Sequence, residues 1–117
     1  MECTTRIEEQ HKKEMMAVQD SMDVLNGKWK IAILSSICYY NKRRFSDILN
    51  DVKGISNKML SKELKELETN HLITRTVHET FPPTVEYEIT DHGLSLEKVI
   101  MSLKDWGLVH RKKVTEK

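Results

Sequence analysis

The chain has 117 residues, 38% of them apolar and 32% charged, with a net charge of +1. That suffices for one domain with a modest core, and no apolar run approaches the ~20 residues needed to span a bilayer. The polar start (Glu2, Arg6, Glu8, Glu9, Lys12, Lys13, Glu14) reads as neither a secretory leader nor a membrane anchor. Cys3 and Cys38 form no CxxC pair, which suits a reducing, cytoplasmic setting.

From about Ile7 to Leu25 a thin helical stripe of Met15, Val18, Met22 and Leu25 is expected, ended by Asn26-Gly27. Residues 1–14 read as a polar extension that frays, residues 15–113 as the single domain, and residues 114–117 as a tail. The stretch Trp29 to Tyr39 is apolar nearly all round (Ile31, Ala32, Ile33, Leu34, Ile37, Cys38) and is expected to be the buried centre. Asn41-Lys42-Arg43-Arg44 reads as a basic loop, and a short helix to Asp51 would bury Phe45, Ile48 and Leu49.

Only Val52 to Ser56 separates that helix from the next, the spacing of a helix-turn-helix. Ser56 is placed to cap the second helix. Along it, Leu60, Leu64 and Leu67, widened by Met59, make an apolar stripe, while Asn57, Lys58, Ser61, Lys62 and Lys65 share another face without an acid. Residues 41 to 65 hold seven cations against three acids, +4, whereas the first twenty residues carry −2. Positive charge is thus gathered where a DNA major groove would accept a helix.

The period then changes to two. Ile73 to Val77 and Val85 to Ile89 predict antiparallel strands of a hairpin, its loop stiffened by Pro82-Pro83. Thr90 caps a last helix expected to run to about Arg111 and to carry Leu94, Leu96, Val99, Ile100, Leu103, Trp106, Leu108 and Val109. That stripe is wider than seating one helix requires, and the excess reads as a dimer face. The predicted fold is mainly α with a small antiparallel β-hairpin: a winged helix-turn-helix flanked by N- and C-terminal dimerisation helices.

With these residues in place the chain resembles the HxlR-type winged helix-turn-helix transcriptional regulators over about residues 22 to 110. The likeness rests on Gly27-Lys28-Trp29, Arg44-Phe45, Gly54-Ile55-Ser56, Met59-Leu60, Leu64 and Leu67-Glu68. It continues through Arg75-Thr76, Pro82-Pro83, Val85-Glu86-Tyr87, Thr90, Gly93 and Trp106-Gly107. The resemblance implies a homodimer bound to double-stranded DNA at an inverted repeat, most often as a repressor. It also implies a dimer interface built from Val18, Met22 and Leu25 with Val99, Leu103 and Trp106. Some members of the family sense oxidants or electrophiles through a first-helix cysteine about eleven residues before the Gly-Lys pair. Met16 stands at that place here, so that chemistry is not expected.

Asn57, Lys58, Ser61 and Lys62 are the expected groove contacts, with Ser56 beside them at the helix start. Lys65 reads as a phosphate contact or as solvated surface, and Arg43 and Arg44 as backbone contacts, Arg44 partly structural. His78, Thr80 and Thr84 are wing candidates. Trp29 and Trp106 read as core or dimer packing. The five histidines lack ligand spacing, so no metal or cofactor is expected. Cys38 reads as a buried thiol and Cys3 as an exposed one able to cross-link subunits. No nucleophile–base pair or phosphate loop suggests an enzyme. Two alternatives remain open at this point: a winged helix that binds an acidic protein, and a small-molecule switch with a cavity where the first, second and last helices meet.

Overall fold

The computed structural model describes the backbone of residues 2–116 and the side chains of residues 5–116, so the expectation for Cys3 lies outside the described side chains. The order is α1 (Glu2–Val24), α2 (Lys30–Tyr40), β1 (Lys42–Arg44), α3 (Phe45–Asp51), α4 (Asn57–Thr69), β2 (Ile73–His78), β3 (Thr84–Ile89), α5 (Asp91–Leu94) and α6 (Glu97–Thr115). α1 begins at Glu2, earlier than its apolar stripe announces. It ends before Gly27, whose φ of 88° is a conformation that costs glycine little.

α2 is the centre of the core. Ile33, Leu34 and Ile37 are sealed, and Ile48, Val52, Ile55, Leu60, Leu64, Leu67, Leu72, Ile73, Tyr87 and Ile89 close around them. α3 and α4 form the helix-turn-helix. Asp47 accepts from the Arg44 N–H at the start of α3 (3.3 Å), and Ser56 caps α4 by accepting from the Met59 N–H (3.1 Å). Gly54, with φ of 88°, makes the turn between them.

The wing is a sheet of order β1-β3-β2, antiparallel throughout. The basic segment expected as a loop is in part its third strand: Lys42, Arg43 and Arg44 pair with Glu88, Tyr87 and Glu86. Cross-strand acids opposite Lys42 and Arg44 favour that register. The last helix is also corrected. Instead of one helix from Thr90, a single turn, α5, is followed by a break at Ser95-Leu96 before α6. Thr90 fastens α5 to the sheet, donating to the His71 carbonyl (2.7 Å) and accepting from the Gly93 N–H (2.9 Å). The chain packs so closely there that a Cβ on Gly93 would lie 2.2 Å from the Leu72 carbonyl oxygen and 2.8 Å from Ile89 Cγ1.

α1 and α6 differ from the rest. No residue of α6 is buried, and the radius of gyration is 18.1 Å, where a compact chain of this length would have about 13 Å. The two helices extend beyond the core.

Gly93→Ala is expected to cost about 2 kcal/mol, lowering the thermal midpoint by roughly 10 °C in a circular-dichroism melt. An unchanged midpoint would show that the α5–sheet contact is looser than described.

Candidate nucleic-acid interface

α4 presents its polar face outward. Asn57, Lys58, Ser61, Lys62 and Lys65 are all exposed, as is the capping Ser56. Behind them Leu60, Leu64 and Leu67 are at most 1% exposed. The sequence pattern missed one part of the helix's seat, because Glu63 also points inward, at 6% exposure. It meets Lys30 of α2, itself 2% exposed, whose ammonium donates to Glu63 and Glu66 at 2.5 Å each and to Asn26 at 3.4 Å. A lysine opening an apolar helix gives no sign of burial by itself. The available signal was two glutamates three apart on the helix that α2 must pack against.

This cluster is held together by charge and by hydrogen bonds from one ammonium. Burial works against the Lys30 cation, but the hydrogen bonds and charges of Glu63 and Glu66 outweigh it, and the ammonium's pKa rises above its ordinary value. The Glu66 carboxyl is held below its ordinary value, chiefly by the hydrogen bond from Lys30; partial burial opposes this, and the charges of Lys30 and Lys62 add to the lowering.

The remaining candidates fall into three settings. Arg43 is turned inward, with 13% of its side chain exposed. Its guanidinium lies 3.9 Å from the centre of the Tyr40 ring, donates to the Asp47 carbonyl at 3.1 Å and stands 3.8 Å from the Asp51 carboxylate. It therefore ties α2 to α3 and is poorly placed for phosphate. Arg44 is exposed and shares a groove with Phe45, Ser46, Pro83 and Thr84, between α3 and the wing. In the wing, His78 lies 3.4 Å from Glu86. Thr80 donates to the Pro82 carbonyl (2.8 Å), and its hydroxyl is 3.2 Å from that of Thr84, so the loop is braced by its own side chains.

Arg75 was not among the expected contacts. It is exposed on β2, paired across from Tyr87. With Ser61, Lys65 and Glu68 of α4 it lines the cleft of about 310 Å³ between α4 and the wing. Its place two residues after the buried Ile73 was the cue, since residues two apart on a strand share a face and that face looks toward α4.

Of the expected interface residues, Val18, Met22, Val99, Leu103 and Trp106 are 55, 63, 42, 49 and 67% exposed. Leu25 is half-buried and packs on the core. Cys38 is half-buried at the core's edge, and burial, helped by the charge of Glu97, pushes its thiol up. Among the described residues no cluster of three metal-ligating side chains occurs, and no helix is long and apolar enough to cross a membrane.

A capped polar helix braced by a second helix and followed by a sheet hairpin defines a winged helix-turn-helix protein. Residues 24–115 match the model of the HxlR-like helix-turn-helix family, and the chain belongs to that family of transcriptional regulators, which are not enzymes. It is 38% identical over 103 residues to YtcD of Bacillus subtilis, an uncharacterized HTH-type transcriptional regulator, covering 88% of this chain and 81% of YtcD. The crystal structure of ytcD superposes with a TM-score of 0.76 over 81% of this chain and 96% of that one, at 38% identity. The redox regulator HypR in its reduced form gives 0.74 at 33% identity, over 84% of this chain and 96% of HypR.

The sign of the pH dependence follows from the Lys30 cluster. A carboxyl whose pKa falls on folding stabilises the fold above its unfolded value, about 4.3 for glutamate, and this contribution is lost as pH drops through the folded value. Urea unfolding is therefore expected to show stability declining below about pH 4.3, with a shallower decline in Glu66→Gln. Lys30→Ala, which strands Glu63, should cost about 3–5 kcal/mol at neutral pH. A loss under about 1 kcal/mol would mean the cluster is solvated like a surface pair.

Proposed function

We propose that the protein is a homodimer that binds an inverted-repeat operator in double-stranded DNA and represses transcription by occupying it. The observation that carries this reading is the face of α4: five exposed cationic or small polar side chains with no acid among them, on a helix anchored from behind. Asn57, Lys58, Ser61 and Lys62, close to the helix start, would read base edges, Asn57 suited to adenine and the lysines to guanine acceptors or phosphate. Lys65, Arg75 and Arg44 would follow the backbone, and His78 and Thr84 the neighbouring groove or its phosphates.

Dimerisation accounts for the uncovered helices. Val18 and Met22 of α1 with Val99, Leu103 and Trp106 of α6 expose more apolar surface than a soluble monomer tolerates. A two-fold pairing through them would set the two α4 helices in successive major grooves about 34 Å apart. In this reading residues 15–113 form the working domain, and the start of α1 serves as an arm. Two helices filling adjacent grooves beside a promoter exclude other proteins from it, which is the basis for assigning repression.

The test begins by selecting bound duplexes from a random pool, then measuring mobility shifts on the recovered sequence. Lys62→Glu is expected to weaken binding by at least about tenfold, and the remaining affinity should depend less steeply on salt, with thermal melting unchanged. Val99→Asp combined with Leu103→Asp should yield monomers by light scattering and lose the two-fold footprint. Wild-type affinity in Lys62→Glu would remove α4 as the reader. A monomeric wild-type protein at micromolar concentration would remove the symmetric mechanism.

A further inference from the structure

A concavity of about 480 Å³ lies between α2 and the turn that leads from α3 to α4, and α1 and α6 contribute nothing to its lining. It is therefore distinct from the cavity expected where those helices meet α2. Trp29, Tyr39 and Tyr40 supply aromatic walls, and Lys28 and Lys53 supply cations. The walls are held in place: Tyr39 and Tyr40 meet edge to face at 4.9 Å, and the Arg43 guanidinium covers a face of Tyr40. Tyr39 is nonetheless 83% exposed, an unusual setting for a large ring.

Ser36 also lines this concavity, and it is 5% exposed with a hydroxyl that has no hydrogen-bond partner. Helical serines commonly return their hydroxyl to the carbonyl four residues back. The adjacent Ser35 does so with Ile31 (2.8 Å), and Ser21 does so with Ala17 (2.9 Å). A buried hydroxyl left unpaired carries a desolvation cost that a bound acceptor would relieve. The acid at the rim, Asp51, lies against Arg43, which leaves Lys28 and Lys53 to set the sign of the site.

We propose that this concavity binds a small aromatic carboxylate, its ring against Trp29 and Tyr39, its charge toward Lys28 and Lys53, and a polar atom accepting from Ser36. Aromatic walls select a planar ring, two lysines select an anion, and one buried donor fixes orientation. The occupant would bridge α2 and the residues Val52 and Lys53 that enter the turn. Gly54 packs there on Trp29, whose Cη2 would stand 3.8 Å from a Cβ at that glycine. Binding would bias the setting of α4 and hence operator affinity. This second step rests on the DNA-binding reading above, and by linkage DNA would alter ligand affinity by the same factor.

The test titrates the full-length protein with benzoate and follows backbone amides and tryptophan indoles by NMR. Benzyl alcohol and cyclohexanecarboxylate separate the contribution of charge from that of the ring. Saturable shifts are expected at the Trp29 indole and the Ser36 and Lys53 amides but not at the Trp106 indole, with Kd on the order of 1 mM or tighter. Both control compounds should bind roughly tenfold more weakly. Ser36→Ala should weaken benzoate binding about tenfold. Ala32→Phe, an exposed position on the wall, should abolish it without changing the melt. Lys58→Glu should bind benzoate normally while losing the operator, so that failure at either site is seen separately. Saturating benzoate should change operator affinity at least about fivefold. Absence of saturable shifts, equal binding of cyclohexanecarboxylate, or normal binding by Ala32→Phe overturns the site. An operator affinity indifferent to bound benzoate overturns the coupling.

Discussion

The orientation of α4 is determined from behind, and the rest of the interface depends on it. Leucine contacts alone would hold the helix to α2, yet they are non-directional and tolerate rotation about the helix axis. The Lys30 ammonium does not. It reaches Glu63 and Glu66 together, and a turn of α4 that released Glu63, 6% exposed, would leave a buried charge unpaired. Such clusters add little net stability, because desolvation offsets the attraction. Their geometric demand is what matters here. With Glu63 and Leu60 inward, Asn57, Lys58, Ser61 and Lys62 have no choice but to face out. If α4 reads DNA as proposed, Glu63 would serve that recognition by being hidden from the groove.

The same economy explains how charge is distributed. With a net charge of +1, the chain as a whole exerts little long-range pull on a polyanion. Its segment 41–65 carries +4 with Asp47, Asp51 and Glu63 already counted, and each of these acids is engaged by a neighbour. Asp47 is turned to the start of α3 and Asp51 lies against Arg43. Arg43, which looks basic and available in the sequence, is consumed by this inward pairing and by the Tyr40 ring. The cations left exposed near this surface include those on the outer face of α4, Arg75 on β2, Arg44 and Lys53.

Much of this was legible beforehand, for definite reasons. α4 has a strong period and a clear cap, β2 and β3 alternate, and α2 is a continuous apolar run, so their extents agree with the pattern to within a residue or two. The glycine turns did the same for the helix-turn-helix. What was not legible depended on partners distant in sequence. Three consecutive basic residues have no alternation, and Lys42 to Arg44 become a strand only because β3 offers an edge with acids opposite. Lys30 looks like the polar end of an apolar helix until Glu63 is brought to it across 33 positions. The break after α5 follows from Gly93 being drawn against Leu72 and Ile89, a contact absent from the local sequence. The stripe on α6 was visible but ambiguous, since breadth alone does not separate core from interface.

The wing adds a second constraint on what α4 can touch. Arg75 and Lys65 line one cleft with Ser61, Glu68 and Tyr87, so two cations and one acid set the field that a phosphate there would meet. Backbone contacts there would fix how deeply α4 enters a groove, because the strand bearing Arg75 is locked in register with β3 through six residue pairs. Depth set by the wing and rotation set by Lys30 are independent restraints from different parts of the core. In the proposed reading, both restraints would present the first two turns of α4 to the base edges. Sequence preference would then, in that reading, be a property of Asn57, Lys58, Ser61 and Lys62, and the remaining structure would present them in one pose.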